Sequence, residues 1–245
     1  MVMEPIRLIT TSSDLPAIDA LKKSLGEHTG ASLYKKIVDR VGKEPGAELG
    51  HGMKGVVYDL GDGRVLKLTA DASEIEAMTL MMKSGHPNLV RVYDVFVVCR
   101  GRSGVGVVVR EWVGKSLEKI EDFDRMNSRI RDAVDHAEES YEETAGSTDT
   151  NAARYAMEDL LAYLENVGDG SAETLKIEHG IRAGIGALMD MGIYGIDFDP
   201  RNIAIDDRGN PVIFDVGVVQ INARRTVKIS RVGCVQDRRI ASPIG

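Results

Sequence analysis

Apolar and polar positions change their period several times along the 245 residues, and each change predicts an element. Within residues 1–45, LPAIDALKKSL and ASLYKKIVDRV space apolar residues three to four apart between glycine and serine breaks, predicting one or two small helices ahead of the main domain. From Leu49 the period falls to two: GMKGVVYDL and RVLKL flank the turn Gly61-Asp62-Gly63, the pattern of a hairpin. Asp71 to Lys83 returns to helical spacing, with Ile75, Met78 and Met82 on one stripe and acids at the start, where the helix dipole favours them. His86-Pro87-Asn88 ends that helix, and two further β runs, LVRVYDVFVV and VGVVVREWV, follow around the turn RGRSG. Residues 49–113 therefore predict a small, mostly antiparallel sheet carrying one helix.

Residues 121–166 differ in kind, with thirteen Asp and Glu against four Arg. Their polar middle, HAEESYEETAGSTDTNA, predicts two exposed helices joined by a mobile loop, either a solvated insertion or a docking surface for a basic partner. From about Ala172 to Met191, Ile177, Ile181, Ile185 and Leu188 mark a better-packed helix, with Gly192 as its break. Glu178 falls beside that stripe and must lie at the exposed edge or find a partner, because a carboxylate buried alone is costly. Beyond it, IAI, the turn Asp206-Asp207-Arg208-Gly209 and VIF form a hairpin. The tail, residues 218–245, carries six Arg or Lys and one Asp, and reads as an irregular strand with a solvated end. As a basic strip for an acidic substrate or nucleic acid it is weaker, because no aromatic residue interleaves with the arginines.

Composition narrows the classes without naming one. A formal charge of −7 argues against bulk attraction to nucleic acid or anionic lipid. No apolar run approaches the roughly 20 residues of a membrane span, and the start lacks the basic-then-apolar order of a secretory signal, so a cytoplasmic protein is expected. Cys99 and Cys234 have no companions at metal-ligand spacing and read as free thiols.

Three groups of residues carry candidate chemistry. Gly50, Gly52 and Gly55 lie in a hairpin turn, where backbone N–H groups can approach an anion without a Cβ in the way; Val57 follows on the next strand. Lys67, in RVLKL, is either a solvated strand residue or an inward point charge for phosphate; Glu76 in the following helix could hold it, with Glu74 as the rival. Asn202 enters the IAI–VIF hairpin and Asp215 leaves it, so the two are neighbours although thirteen residues apart. Their oxygens suit Mg²⁺, and Asp197, just before the strand, is placed to orient or deprotonate an attacking hydroxyl.

In this order the elements resemble the eukaryotic-like serine/threonine protein kinase superfamily, in the manner of a shortened atypical bacterial or phage member. The glycine loop, VLK, the acidic helix, HPNLVRVYDVF, REWVG-KSL, DFDPRN and DVG carry the resemblance across about residues 49–120 and 172–217. It implies an α+β, bilobal kinase-like fold: a helical extension over 1–45, an N-lobe with an antiparallel sheet over 46–113, and a reduced, mainly helical C-lobe over 114–245. It further implies ATP and Mg²⁺ as cofactors. Gly50, Gly52, Gly55 and Val57 would cover the phosphates, Lys67 with Glu76 would pair with them, and Glu111, Trp112 and Val113 would form the adenine hinge. Asp197 would be the catalytic base, and Asn202 and Asp215 the metal ligands. The implied activity is transfer of phosphate to serine or threonine on a protein, with autophosphorylation at Thr226, Ser230 or Ser242 included. The alternatives are a pseudokinase that binds a partner and a small-molecule kinase resembling aminoglycoside phosphotransferases.

The departures set further expectations. Gly195 and Ile196 replace the family's His-Arg, so control by activation-loop phosphorylation is not expected. Asp199 stands where the family usually has lysine, and either Lys54 offsets its charge or Asp199 turns away. Arg110 precedes the hinge; it pairs with an acid, or the register slips and Val109 takes its place. Val216 stands for the usual phenylalanine, and with 28 residues after Gly217 the C-lobe is short enough that the insertion 121–166 or a second copy could complete it.

Overall fold

The computed structural model describes residues 7–8, 33–52, 55–100, 103–145, 151–194, 198–216, 220–221 and 234–235. The helical pattern LPAIDALKKSL, Met53, Lys54, the loop 146–150, Gly195 to Asp197, Gly217, Thr226, Ser230 and Ser242 lie outside the described residues. In chain order the elements are β1 (Arg7–Leu8), α1 (Leu33–Val41), β2 (Glu48–Gly52), β3 (Gly55–Asp59), β4 (Arg64–Thr69), α2 (Ala72–Met81), β5 (Val92–Arg100) and β6 (Ser103–Glu111). They continue as α3 (Asp124–Ala145), α4 (Ala152–Tyr163), α5 (Ala172–Asp190), β7 (Ile193–Tyr194), β8 (Ile203–Ile205), β9 (Pro211–Ile213), β10 (Gln220–Ile221) and β11 (Cys234–Val235). The arrangement is α+β, with an N-terminal antiparallel sheet in the order β5-β6-β4-β3-β2 and a more helical C-terminal region. Strand β1 joins β6 and β11 joins β5, both in parallel.

The chain divides into two compact units, one of residues 1–75, 94–109 and 228–245, the other of 76–93 and 110–227. In the first, β4 is buried at every position from Val65 to Thr69, so the strand is covered on both faces although Leu66 to Thr69 alternate apolar and polar residues. The turn into β4 works because Gly61 and Gly63 take φ of +68° and +77°, a region that side chains disfavour. Gly106 of β6 is required by contact: a Cβ there would lie 2.4 Å from the Ile75 side chain, so its absence lets the start of α2 sit against the sheet. Helix α1 is fixed by Arg40, which forks onto Asp94 at 2.8 and 2.9 Å and lies 4.5 Å over the Phe96 ring.

In the second unit, Ile177, Ile181, Ile185 and Leu188 of α5 are buried, as their spacing predicts. Ser171 caps the helix by accepting from the Thr174 N–H, and Gly192, at φ +79°, follows its end. Glu178 is buried and accepts from the Gly168 N–H at 3.4 Å, so it has found a partner.

The insertion departs from its expected two exposed helices. Met126, Ile130, Ala133 and Ala137 of α3 are buried, as are Ala153, Met157 and Leu160 of α4. Alanine at three-to-four spacing is a weak hydrophobic signal in an acidic stretch, yet it lets helices approach closely and share a seam. His136 stacks on Tyr163 at 4.8 Å. Arg129 donates to the carbonyls of Asn166, Val167 and Gly168 beyond α4, a use of guanidinium that satisfies acceptors left bare after a helix end. Among the described residues no helix is long and apolar enough to cross a membrane.

Candidate functional site

In the first unit the site begins with strand geometry. Gly50, His51 and Gly52 of β2 pair with Val57, Val56 and Gly55 of β3, so the glycine-rich stretch is a hairpin, as its flanking β runs predict. Its glycines serve different ends. A Cβ on Gly55 would lie 2.5 Å from the Leu68 carbonyl oxygen, so this glycine is demanded by the neighbouring strand. Gly50 has no atom within 4 Å of where a Cβ would stand and leaves its surroundings open.

On β4, Lys67 and Thr69 share one face because side chains alternate along a strand. Both meet the same carboxylate: Lys67 Nζ is 2.6 Å from Glu74 Oε1, and Thr69 Oγ1 donates to Glu74 Oε2 at 2.8 Å. The side chains of Lys67 and Glu74 are 11% and 4% exposed, which makes this a buried ion pair. The short connection is shaped by its own polar groups: the Asp71 N–H donates to Thr69 Oγ1, and Asp71 Oδ1 accepts from the N–H and hydroxyl of Ser73.

Of the two acids expected to compete for Lys67, Glu74 forms an ion pair with it, at the start of α2. Thr69 was missed, although a polar residue two positions beyond a candidate lysine on a strand was the available signal.

In the second unit, Asn202 and Asp215 flank the β8–β9 hairpin. Ile203 pairs with Ile213, and the Phe214 N–H donates to the Asn202 carbonyl at 2.9 Å, which places Asp215 one residue past the clamp. Both side chains are half-buried. The hairpin is held from elsewhere: the Ile213 N–H donates to Asn88 O, the Val90 N–H to Ile213 O, and Asn88 Nδ2 to Pro211 O at 2.8 Å. Thus the HPN stretch does more than end α2. Gly180 and Gly184 complete the seat, since a Cβ would lie 2.4 Å from Pro211 Cγ or 2.9 Å from Ile213 Cδ1 respectively.

Asp199 caps the 3-10 turn Pro200–Asn202, accepting from the Arg201 N–H at 2.7 Å and from Arg201 Nε at 2.9 Å. Partial burial alone would raise its pKa, but the Arg201 hydrogen bonds and the charges of Arg201 and Arg131 outweigh it and hold the carboxyl below its ordinary value. Its negative charge is therefore offset by its own turn. Arg110 is 4% exposed, lies 5.1 Å over the Phe214 ring and donates to the Glu111 carbonyl at 3.4 Å. Val109 is also buried, so the strand end is covered on both faces. Glu111 has a structural use: its Oε1 accepts from the Arg91 N–H at 2.7 Å. Trp112 beside it is 52% exposed and Val113 is buried.

Chemically, the first unit offers a buried ammonium beside a glycine hairpin, and the second an amide and a carboxylate at one hairpin end. Among the described residues no group of three or more His, Cys, Asp or Glu could hold a metal ion. A site of Asn202 and Asp215 would thus be a two-residue oxygen site, the kind that suits Mg²⁺ when phosphate oxygens and water complete the shell. No family model and no curated protein matches the chain.

Proposed function

We propose that this chain is an ATP- and Mg²⁺-dependent phosphotransferase whose acceptor is a serine or threonine hydroxyl on a protein, this chain included. The observation that carries the reading is the buried Lys67–Glu74 pair. Lys67 Cε lies 3.4 Å from the place a Cβ would take on Gly55, so the ammonium's stem runs beside the glycine hairpin. A lysine paired with a buried acid and set beside backbone that a phosphate can approach supplies counter-charge without reorganisation.

Lys67 would hold the nucleotide's phosphates, with Gly50, Gly52 and Gly55 giving them backbone access. Mg²⁺, taken by Asn202 and Asp215, would supply charge neutralisation at the transferred group. Asp197, assigned from the sequence, would orient the acceptor hydroxyl and take its proton. Asp199, neutralised by Arg201, would not repel the phosphate in the way a free carboxylate would.

The test is label transfer from γ-labelled ATP with Mg²⁺, to the protein itself and to a lysate of its host, beside Asp197→Ala. Label on serine or threonine that disappears in the variant is the expected result. Label passing only to small hydroxylated metabolites would move the reading to the aminoglycoside type. ATP binding with no transfer to any acceptor would replace it with a partner-binding pseudokinase.

A further inference from the structure

We infer that Arg110 is a positioning residue for the Asn202–Asp215 pair, acting through the Phe214 ring; the inference rests on the phosphotransferase reading of that pair. A guanidinium taken out of water needs compensation from its surroundings, so what Arg110 touches at the end of β6 is informative. Arg110 is 4% exposed, with its charge 5.1 Å from the Phe214 centroid.

What the contact holds follows from Phe214's other attachment. Its N–H is bound to the Asn202 carbonyl at 2.9 Å, so the residue immediately before Asp215 is gripped at its backbone by one candidate ligand and at its ring by Arg110. Two attachments on one residue fix the direction in which the chain leaves the hairpin, and Asp215 is the next residue along it. The far end is anchored as well. Arg110 Nη1 donates to the Glu111 carbonyl, while the Glu111 N–H and side chain bind Arg91 O and N at 3.0 and 2.7 Å. Arg110 therefore ties the secured end of β6 to the exit of β9. Loss of the tie leaves Asn202 and Asp215 in place but frees their relative orientation, which a cation sharing both would read as weaker binding.

The experiment measures Mg²⁺ dependence of binding of a fluorescent ATP analogue to the full chain, for the parent, Arg110→Met, Arg110→Lys, Phe214→Leu, the Arg110→Met/Phe214→Leu double variant and Asp215→Ala. Arg110→Met and Phe214→Leu should each raise the Mg²⁺ midpoint about tenfold, within the range of one desolvated cation–π contact. The double variant should be no worse than either single one, Arg110→Lys should recover part of the loss, and affinity for the analogue in EDTA should not change. A purely structural role would lower the EDTA affinity and the melting temperature together and leave the Mg²⁺ midpoint of the folded fraction unmoved, and that result overturns the inference. If Asp215→Ala abolishes Mg²⁺ dependence while Arg110→Met does not shift it, Arg110 fails and the phosphotransferase reading stands. If the parent binds the analogue with no Mg²⁺ dependence, both fail.

Discussion

Lys67 and Asp215 are held in place in opposite ways. Lys67, Thr69 and Glu74 lie within one strand, one short connection and the first turn of one helix, and the buried ion pair closes inside that local piece. Asn202 and Asp215 belong to a three-residue-stranded hairpin that is fixed by Asn88, Arg110, Gly180 and Gly184, residues distant from it in sequence. The difference teaches where each function is vulnerable. A charge paired within one strand and the helix after it depends on that local piece, whereas a ligand pair seated by remote contacts depends on the packing of a whole unit.

The largest effect should come from breaking the local partnership. Lys67→Met leaves the Glu74 carboxylate buried with its Thr69 hydrogen bond but without the ammonium, and stability should fall by roughly 3–5 kcal/mol in urea unfolding. Lys67→Met/Glu74→Leu removes both charges and should regain most of that loss, because two apolar groups need no mutual compensation. A double variant as unstable as the single one would show that charge is not what the pair contributes.

The remote seat is tested by two glycines of α5 that look alike in sequence. Gly184→Ala puts a methyl 2.9 Å from Ile213 Cδ1 and 3.0 Å from Asn88 O, and should destabilise by about 1–3 kcal/mol by thermal melting. Gly186→Ala meets nothing within 4 Å and should be neutral or stabilising by up to about 1 kcal/mol, since alanine suits a helix interior better. Equal behaviour of the two would mean that the hairpin does not lean on α5.

The same contrast explains what was legible in the sequence. The antiparallel sheet, α2, α5 and the β8–β9 hairpin follow from periodicity and turn residues, which are local signals. Lys67 was legible as a candidate for the same reason, but its pairing with Glu74 was not, because two acids stand two residues apart in α2. The buried seams of α3 and α4 were obscured by alanine, whose methyl carries little hydrophobic signal, amid thirteen acids over residues 121–166. The Arg110–Phe214 contact joins residues 104 positions apart by number, and no local pattern could have paired them. Asp199 was noticed for its unusual charge, while its neutraliser stood two residues on.

That last pair should give the smallest effect, and it marks the lower end of the contrast with Lys67. Arg201 and Asp199 are 64% and 18% exposed at the side chain, so water already screens much of their attraction. Arg201→Ala should cost less than about 1 kcal/mol at neutral pH, the usual weight of an exposed ion pair. Its pH dependence has a definite sign. The folded Asp199 carboxyl lies below its ordinary value, so it binds protons less readily than in the unfolded chain. The stabilisation is therefore complete above the unfolded carboxylate value of about 3.9 and is lost as the pH falls through the lower folded value. Melting curves of parent and Arg201→Ala should differ slightly at neutral pH and converge in acid. A difference that instead grows as the pH falls would mean that Arg201 serves something other than the Asp199 carboxylate.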